Sequence, residues 1–226
     1  MNIESISSEN LNKELAYLLG VYLTDGSISK TESYTFSLKA IDKDFVENAL
    51  SAYKILNPLC AANVYTQAPR TRFWEDGKVS KTQMQYCINV GFAKFGDFFK
   101  QQTGNKHHIP LSIWDASLNI KRWFVAGVMD GDGWISKTQR PLYPDKYQYR
   151  IGIGGVEDGW VWEFEKLLQK LGVHTLAPEI DSRPPRIQPM VRFGIKVESF
   201  VGNGLFFTIR RKQARLLQYI KTRSET

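Results

Sequence analysis

An α+β fold made of two tandem αββαββα units, joined as a pseudo-two-fold monomer, is what this sequence predicts. Two observations predict it. The segment Gly20-Val21-Tyr22-Leu23-Thr24-Asp25-Gly26-Ser27-Ile28-Ser29-Lys30 recurs as Gly127-Val128-Met129-Asp130-Gly131-Asp132-Gly133-Trp134-Ile135-Ser136-Lys137. Each copy closes an apolar helical run with Asp-Gly and opens a short alternating strand, and the pattern of helices and strands that follows repeats. The halves are expected at residues 1–113 and 114–226, sharing one core, with two antiparallel sheets outside and the two repeated helices packed at the centre.

Residues 11–24 read as the first helix. Leu15, Leu18, Leu19 and Tyr22 supply an apolar face, and Gly26 takes the usual helix-ending role. Residues 27–30 and 34–40 read as strands, the second with Phe36 and Leu38 inward and Thr35, Ser37 and Lys39 outward. Asp42 is placed to cap a helix containing Phe45, Val46, Ala49, Leu50 and Tyr53. Residues 60–67 and 82–92 form the second strand pair, joined by an extended basic loop or hairpin tip with Arg70 and Arg72. A short helix at 94–102 and a helix or turn from Ile109-Pro110 close the half. The second half repeats this order. It has a helix at 119–131, strands at 134–138 and 147–153, and a helix at 160–171 with Trp160, Phe164, Leu167 and Leu168 inward. Strands at 173–180 and 189–197 and a basic helix at 210–222 follow. The glycines of Gly152-Ile153-Gly154-Gly155 suit a bulge or a close backbone approach, and they lack the spacing of a nucleotide loop. The tryptophans read as core.

The 226 residues, 42% of them hydrophobic, suffice for a sizeable core. The net charge of +7 favours a polyanionic partner without establishing one. Two cysteines with no short spacing argue against a disulfide framework and fit a reducing compartment. No secretory signal and no membrane-spanning run is visible, so a soluble, intracellular protein is expected.

Gly20 and Thr24 lie four apart on one helix, and Gly127 and Gly131 take the same places on the other. Small residues at that spacing let two helix backbones approach closely. The helix ends, and with them Asp25 and Asp132, then come together. Two neighbouring carboxylates repel unless cations are present, and oxygen-liganded Mg²⁺ suits such a pair. Acids, metal and water make a plausible site for attack on a phosphodiester. One Asp-Gly is only a helix stop; two copies at one offset are more. A calcium loop counted from Asp130 fails, because Ile135 and Pro141 stand where Gly and Glu are required.

These two segments resemble the paired motifs of single-chain LAGLIDADG homing endonucleases, and the repeated element order resembles that family over nearly the whole chain. The resemblance implies a staggered double-strand break in a long duplex DNA target, made by a monomer with Mg²⁺; Mn²⁺ or Ca²⁺ can take the same sites. It gives metal binding to Asp25 and Asp132, with the carbonyls of Thr24 and Gly131 as further ligands. Two departures stand out: Leu23 replaces the first motif's leading acid, which Asp130 keeps, and Thr24 replaces a small residue. The family also places a basic residue near each scissile phosphate. Lys106 and Arg210 are the candidates, with solvated helix-entry charges as the competing reading. The histidines beside Lys106 lack zinc spacing.

A saddle of two sheets in the major groove is expected. Outward candidates in the first half are Ser29, Thr35, Ser37, Lys39, Asn63, Tyr65, Gln67, Gln83, Gln85 and Asn89, with Arg70 and Arg72 at the hairpin tip. In the second half they are Ser136, Thr138, Arg140, Gln148, Arg150, Arg183, Arg186, Gln188 and Arg192. Arg pairs with guanine and Gln or Asn with adenine, while Arg and Lys also hold phosphates. Any single position is equally well solvated sheet surface; the pattern as a whole points to base edges. Arg183-Pro184-Pro185-Arg186 fits a rigid hairpin tip better than a polyproline ligand. An intron RNA maturase on the same scaffold and a non-catalytic DNA-binding regulator are the alternatives, and a regulator has no need of both acids. The start at Met1 without splicing residues suits a free-standing or intron-encoded frame.

Overall fold

The computed structural model describes residues 11–73, 79–93, 95–140, 143–182 and 188–224. Its first half runs α1 (Lys13–Leu23), β1 (Ser27–Lys30), β2 (Tyr34–Ala40), α2 (Lys43–Leu56), β3 (Tyr65–Gln67), β4 (Thr71–Phe73), β5 (Val79–Lys81), β6 (Gln85–Gly91), α3 (Gly96–Gln102) and α4 (Leu111–Trp114). The second runs α5 (Leu118–Gly131), β7 (Trp134–Arg140), β8 (Tyr143–Val156), α6 (Val161–Lys170), β9 (Glu179–Asp181), β10 (Met190–Ile195), α7 (Val197–Gly202) and α8 (Arg210–Ser224). Two antiparallel four-stranded sheets result, ordered β1-β2-β6-β3 and β7-β8-β10-β9. Strands β4 and β5 form a separate two-stranded antiparallel sheet. The fold is α+β, as the repeat predicts.

The repeated helices are the centre. Asn12 caps α1, its side chain accepting the Leu15 N–H at 2.9 Å, and Ser117 caps α5. Every residue of α1 from Leu15 to Leu23 is buried, well beyond the single apolar face read from the sequence. The helix is enclosed by α5 on one side and by α2 and its own half's core on the other, so it reads as apolar all round. A Cβ on Gly20 would lie 2.4 Å from the Phe124 carbonyl oxygen, and one on Gly127 2.2 Å from that of Tyr17. Phe124 and Tyr17 each stand three residues before the opposite glycine, so the contact is reciprocal. The glycines are what let the backbones touch.

Each sheet lays one face on the core. Phe36, Leu38, Ile88 and Val90 point inward in the first, and Ile135, Ile151, Ile153, Val191 and Phe193 in the second. Their alternates form the opposite face. Ser37 pairs with Asn89 and Thr35 with Gly91; Ser136 pairs with Arg150 and Thr138 with Gln148.

Several local expectations change. The strand read at 60–67 is paired only over Tyr65–Gln67. That at 173–180 is reduced to an isolated bridge from Thr175 to Ile195 and the strand Glu179–Asp181. Asp42 starts α2 without capping it, because its carboxylate is engaged by Arg211 at 2.5 and 2.7 Å. Gly26 does not adopt the left-handed backbone of a helix-ending glycine. A Cβ there would meet the Phe36 ring at 2.7 Å, so it serves close packing, whereas Gly172 after α6 does turn left-handed, at φ 78°. The sheet irregularity lies at Gln139/Arg140, away from Gly152. Trp160 is core, but Trp134 is exposed.

Candidate active site at the paired helix ends

Asp25 and Asp132 follow the adjoining ends of α1 and α5 and come close enough to interact. Thr24, just before Asp25, packs onto Gly131, just before Asp132: a Cβ on Gly131 would lie 2.1 Å from the Thr24 hydroxyl oxygen. Thr24 is therefore admitted without pushing the helices apart, and its hydroxyl donates back to the carbonyls of Gly20 and Val21 at 3.2 Å.

Both aspartates reach solvent, yet the protein around them withholds enough water that desolvation dominates their electrostatics. Burial pushes the Asp132 carboxyl up to about 6, and the Asp25 carboxylate pushes the same way; Lys106 and Lys212 oppose both. Burial also raises Asp25, against the pull of Lys212 and Lys106. Two acids and two ammonium groups thus share one spot. Asp132 also borders a concavity of about 360 Å³ that reaches Thr24 and Lys106.

Lys106 is held on a tight left-handed turn, with φ of 51°, 56° and 77° at Gly104, Asn105 and Lys106. Asn105 and Lys106 are the non-glycine residues with positive φ among those described, and such strain clusters at functional positions. The Lys106 ammonium donates to the Thr24 carbonyl at 2.8 Å. Burial lowers its pKa, against the pull of Asp132 and Asp25.

The basic side chain facing the acids from the second half is Lys212, not Arg210. Helix α8 begins at Arg210, and its buried stripe is Lys212, Leu216 and Tyr219. Arg210 is exposed on another face, its N–H donating to Asp44 at 2.5 Å. Lys212 is buried and donates to the carbonyls of Met129, Asp130 and Gly133 at 2.9, 2.6 and 2.6 Å. Burial brings its pKa down to about 8. Two signals in the sequence mark it: it holds a stripe position at helical spacing, and it follows Asp132 by 80 residues as Lys106 follows Asp25 by 81.

Asp130 is fully engaged elsewhere. It accepts from the Tyr17 hydroxyl at 3.0 Å and from the Thr208 N–H and hydroxyl. Burial pushes it up to about 6 against those hydrogen bonds. Leu23, its counterpart, is simply buried in the core.

The donor set offers two carboxylates and neighbouring carbonyls, all hard oxygen. Among the described residues no group of three or more His, Cys, Asp or Glu is placed to hold a metal ion. His108 instead pairs with Glu163 at 2.9 Å and His107 with the Asp158 carbonyl. Two carboxylates fit Mg²⁺, which keeps waters and takes remaining oxygens from phosphates.

Of the outward candidates, Ser29, Thr35, Ser37, Lys39, Tyr65, Gln67, Gln85 and Asn89 share the outer face of the first sheet by register, and Tyr65 accepts from the Asn89 amide at 2.8 Å. Ser136, Thr138, Gln148, Arg150 and Arg192 share that of the second. Asn63, Arg70, Gln83 and Gln188 are exposed outside the strands. Arg183 and Arg186 lie outside the described residues, as do the side chains of Arg72 and Arg140.

No protein-family model matches the chain. Two uncharacterised proteins of Methanocaldococcus jannaschii are similar to it. MJ0398 is 28% identical over 168 residues, covering 72% of this chain and 50% of that protein. MJ0314 is 25% identical over 182 residues, covering 76% and 60%. The chain thus spans about half to three-fifths of the length of these relatives. Among solved structures, it is similar to the homing endonuclease I-WcaI bound to its DNA recognition sequence, with TM-score 0.56 and 13% identity, covering 90% of this chain and 87% of that one. It is also similar to I-DmoI in complex with DNA and Mn, with TM-score 0.52 and 15% identity, covering 86% and 97%. At these identities the likeness is one of fold, and the fold is that of homing endonucleases. Among the described residues no helix is long and apolar enough to cross a membrane.

Proposed function

We propose that this protein is a site-specific DNA endonuclease of the LAGLIDADG type, making a staggered double-strand break in a long duplex target by metal-dependent phosphodiester hydrolysis. The observation that carries the proposal is the convergence of Asp25 and Asp132 at the reciprocal helix contact, each acid under the influence of both Lys106 and Lys212. The shared fold with DNA-bound homing endonucleases supports it.

In this reading Asp25 and Asp132 hold Mg²⁺, with the carbonyls of Gly131 and Thr24 as further ligands, the latter using the lone pair that Lys106 leaves free. A bound divalent ion supplies charge for the phosphoryl oxygens and a more acidic water. Lys106 and Lys212 present fixed positive charge where negative charge grows on the phosphate. The outer sheet faces lie along the duplex, with polar side chains on base edges and basic ones on phosphates. One chain supplies both acids, so a monomer suffices.

The test is a pool of long duplexes incubated with the protein and Mg²⁺. Asp25→Asn and Asp132→Asn are expected to abolish double-strand cutting and to keep DNA binding. Normal cutting by both variants would falsify the assignment. RNA binding and intron splicing without DNA cleavage would select the maturase alternative.

A further inference from the structure

The pseudo-symmetry sets one row of the first sheet against one row of the second. Two residues after Asp25 stands Ser27, which pairs with Ser37, which pairs with Asn89. Two residues after Asp132 stands Trp134, which pairs with Gly152, which pairs with Gly194. The same place in the two halves has opposite chemistry. The first row is two hydroxyls and an amide, all able to hydrogen-bond. The second carries an indole on a floor of glycine.

That floor is filled on purpose of packing. A Cβ on Gly152 would lie 2.4 Å from Trp134 Cζ2, so the indole rests directly on the backbone there. A Cβ on Gly194 would lie 2.8 Å from Leu176 Cδ1, so the Leu176 side chain covers the next strand. Trp134 is nonetheless 43% exposed and Leu176 50%. Together they make an apolar plate on the outer face, with Arg150 on one side and Arg192 on the other, the latter resting on Gly154. An indole left in water beside the acids, on a face whose other strand positions are polar residues, glycines and the Val156–Met190 pair, is poorly explained by core packing.

We infer that the Trp134–Leu176 plate reads thymine methyl groups in the half-site bound by the second sheet, where the matching row of the first sheet takes hydrogen-bonding base edges. The inference rests on the nuclease reading and deepens it. In the major groove the apolar group a base pair offers is the C5-methyl of thymine. Trp134 follows Asp132 by two residues, so the pairs it meets are those nearest the cut in that half. The target is then asymmetric in kind: methyl-rich on one flank of the centre, read by donors and acceptors on the other.

The experiment selects binders from a randomised duplex pool with the full chain, then replaces thymine by deoxyuridine in the selected target. In the wild type, each thymine against the plate should cost about fourfold in affinity when its methyl is removed, the worth of one buried carbon. Deoxyuridine in the other central flank should cost nothing. Trp134→Ser, which copies Ser27, should lose both the thymine preference and the deoxyuridine effect in its own half alone. Leu176→Ser should do so in part; its side chain is half exposed, so the variant retains its core. A wild type that selects no sequence overturns the nuclease reading itself. A wild type that selects a sequence, with deoxyuridine sensitivity unchanged in both variants, overturns this inference alone.

Discussion

Asp130 and Thr208 are joined twice: the Thr208 N–H donates to one carboxylate oxygen of Asp130 at 3.0 Å and the Thr208 hydroxyl to the other at 2.5 Å. Thr208 also accepts from the Asn48 amide at 2.8 Å, and the Ile209 N–H reaches Asp130 at 3.4 Å. The carboxylate thus fixes the chain entering α8 and, four residues on, the lysine that caps the end of α5. Asp130→Asn turns one acceptor into a donor facing buried donors. It is expected to lower stability by about 1–3 kcal/mol, read by urea denaturation. Asp130→Leu, which copies Leu23, should cost at least as much. Both should slow cleavage, because the chain that delivers Lys212 into α8 loses its hold at Thr208 and Ile209.

Strand-resolved nicking separates Lys212 from Arg210. Lys212→Met leaves three carbonyls without their donor and should depress cleavage of one strand far more than of the other. Arg210→Ala removes an exposed side chain and should stay within about 0.5 kcal/mol in stability with both strands cut.

The acids make pH informative. An unfolded Asp loses its proton near 4, and Asp132 in the fold near 6, so the folded state holds the proton more tightly. Without metal, the stability this group contributes is fully present below about pH 4 and is lost as pH rises through about 6. Asp132→Asn should flatten that part of the profile in chelator-treated protein. With Mg²⁺ the sign reverses: below pH about 6 the ion must displace a proton, and apparent affinity should fall by up to tenfold per pH unit. A Mg²⁺ titration of cleavage at pH 5.5 and 7.5 checks it.

Gly20→Ala and Gly127→Ala each drive a methyl into backbone that cannot swing aside. Each is expected to destabilise by at least about 1–3 kcal/mol, measured by thermal or urea unfolding. Cleavage by whatever folds should drop further than stability alone explains, since the helix ends spread and the acids part.

The central pair was legible because duplication repeats every element of it: glycine, acid and strand start at one offset. The all-round burial of α1 is not legible in its periodicity, because its outer face also meets core, which no single-helix pattern reports. The run Arg210-Arg211-Lys212 hides which of three cations lies on the helix stripe; Leu216 and Tyr219 decide it only once the phase of α8 is known. Full strands at 60–67 and 173–180 are not realised because alternating polarity persists in extended chain that pairs over only a few residues. Trp134 defied its residue type because glycine on the neighbouring strand gave the ring a place outside the core.

The clasps between the halves are reciprocal. From α2 and its cap residue, Asp42 holds Arg211, Asp44 the Arg210 N–H and Asn48 Thr208; from α6 and the turn before it, Glu163 holds His108 and the Ile109 N–H, and Asp158 holds His107. Each half therefore grips the segment of the other that leads to or from a site lysine. Anyone building hybrid chains by swapping halves must transplant these latches as matched sets, because a foreign partner with a good central seam and mismatched latches would assemble with its lysines adrift.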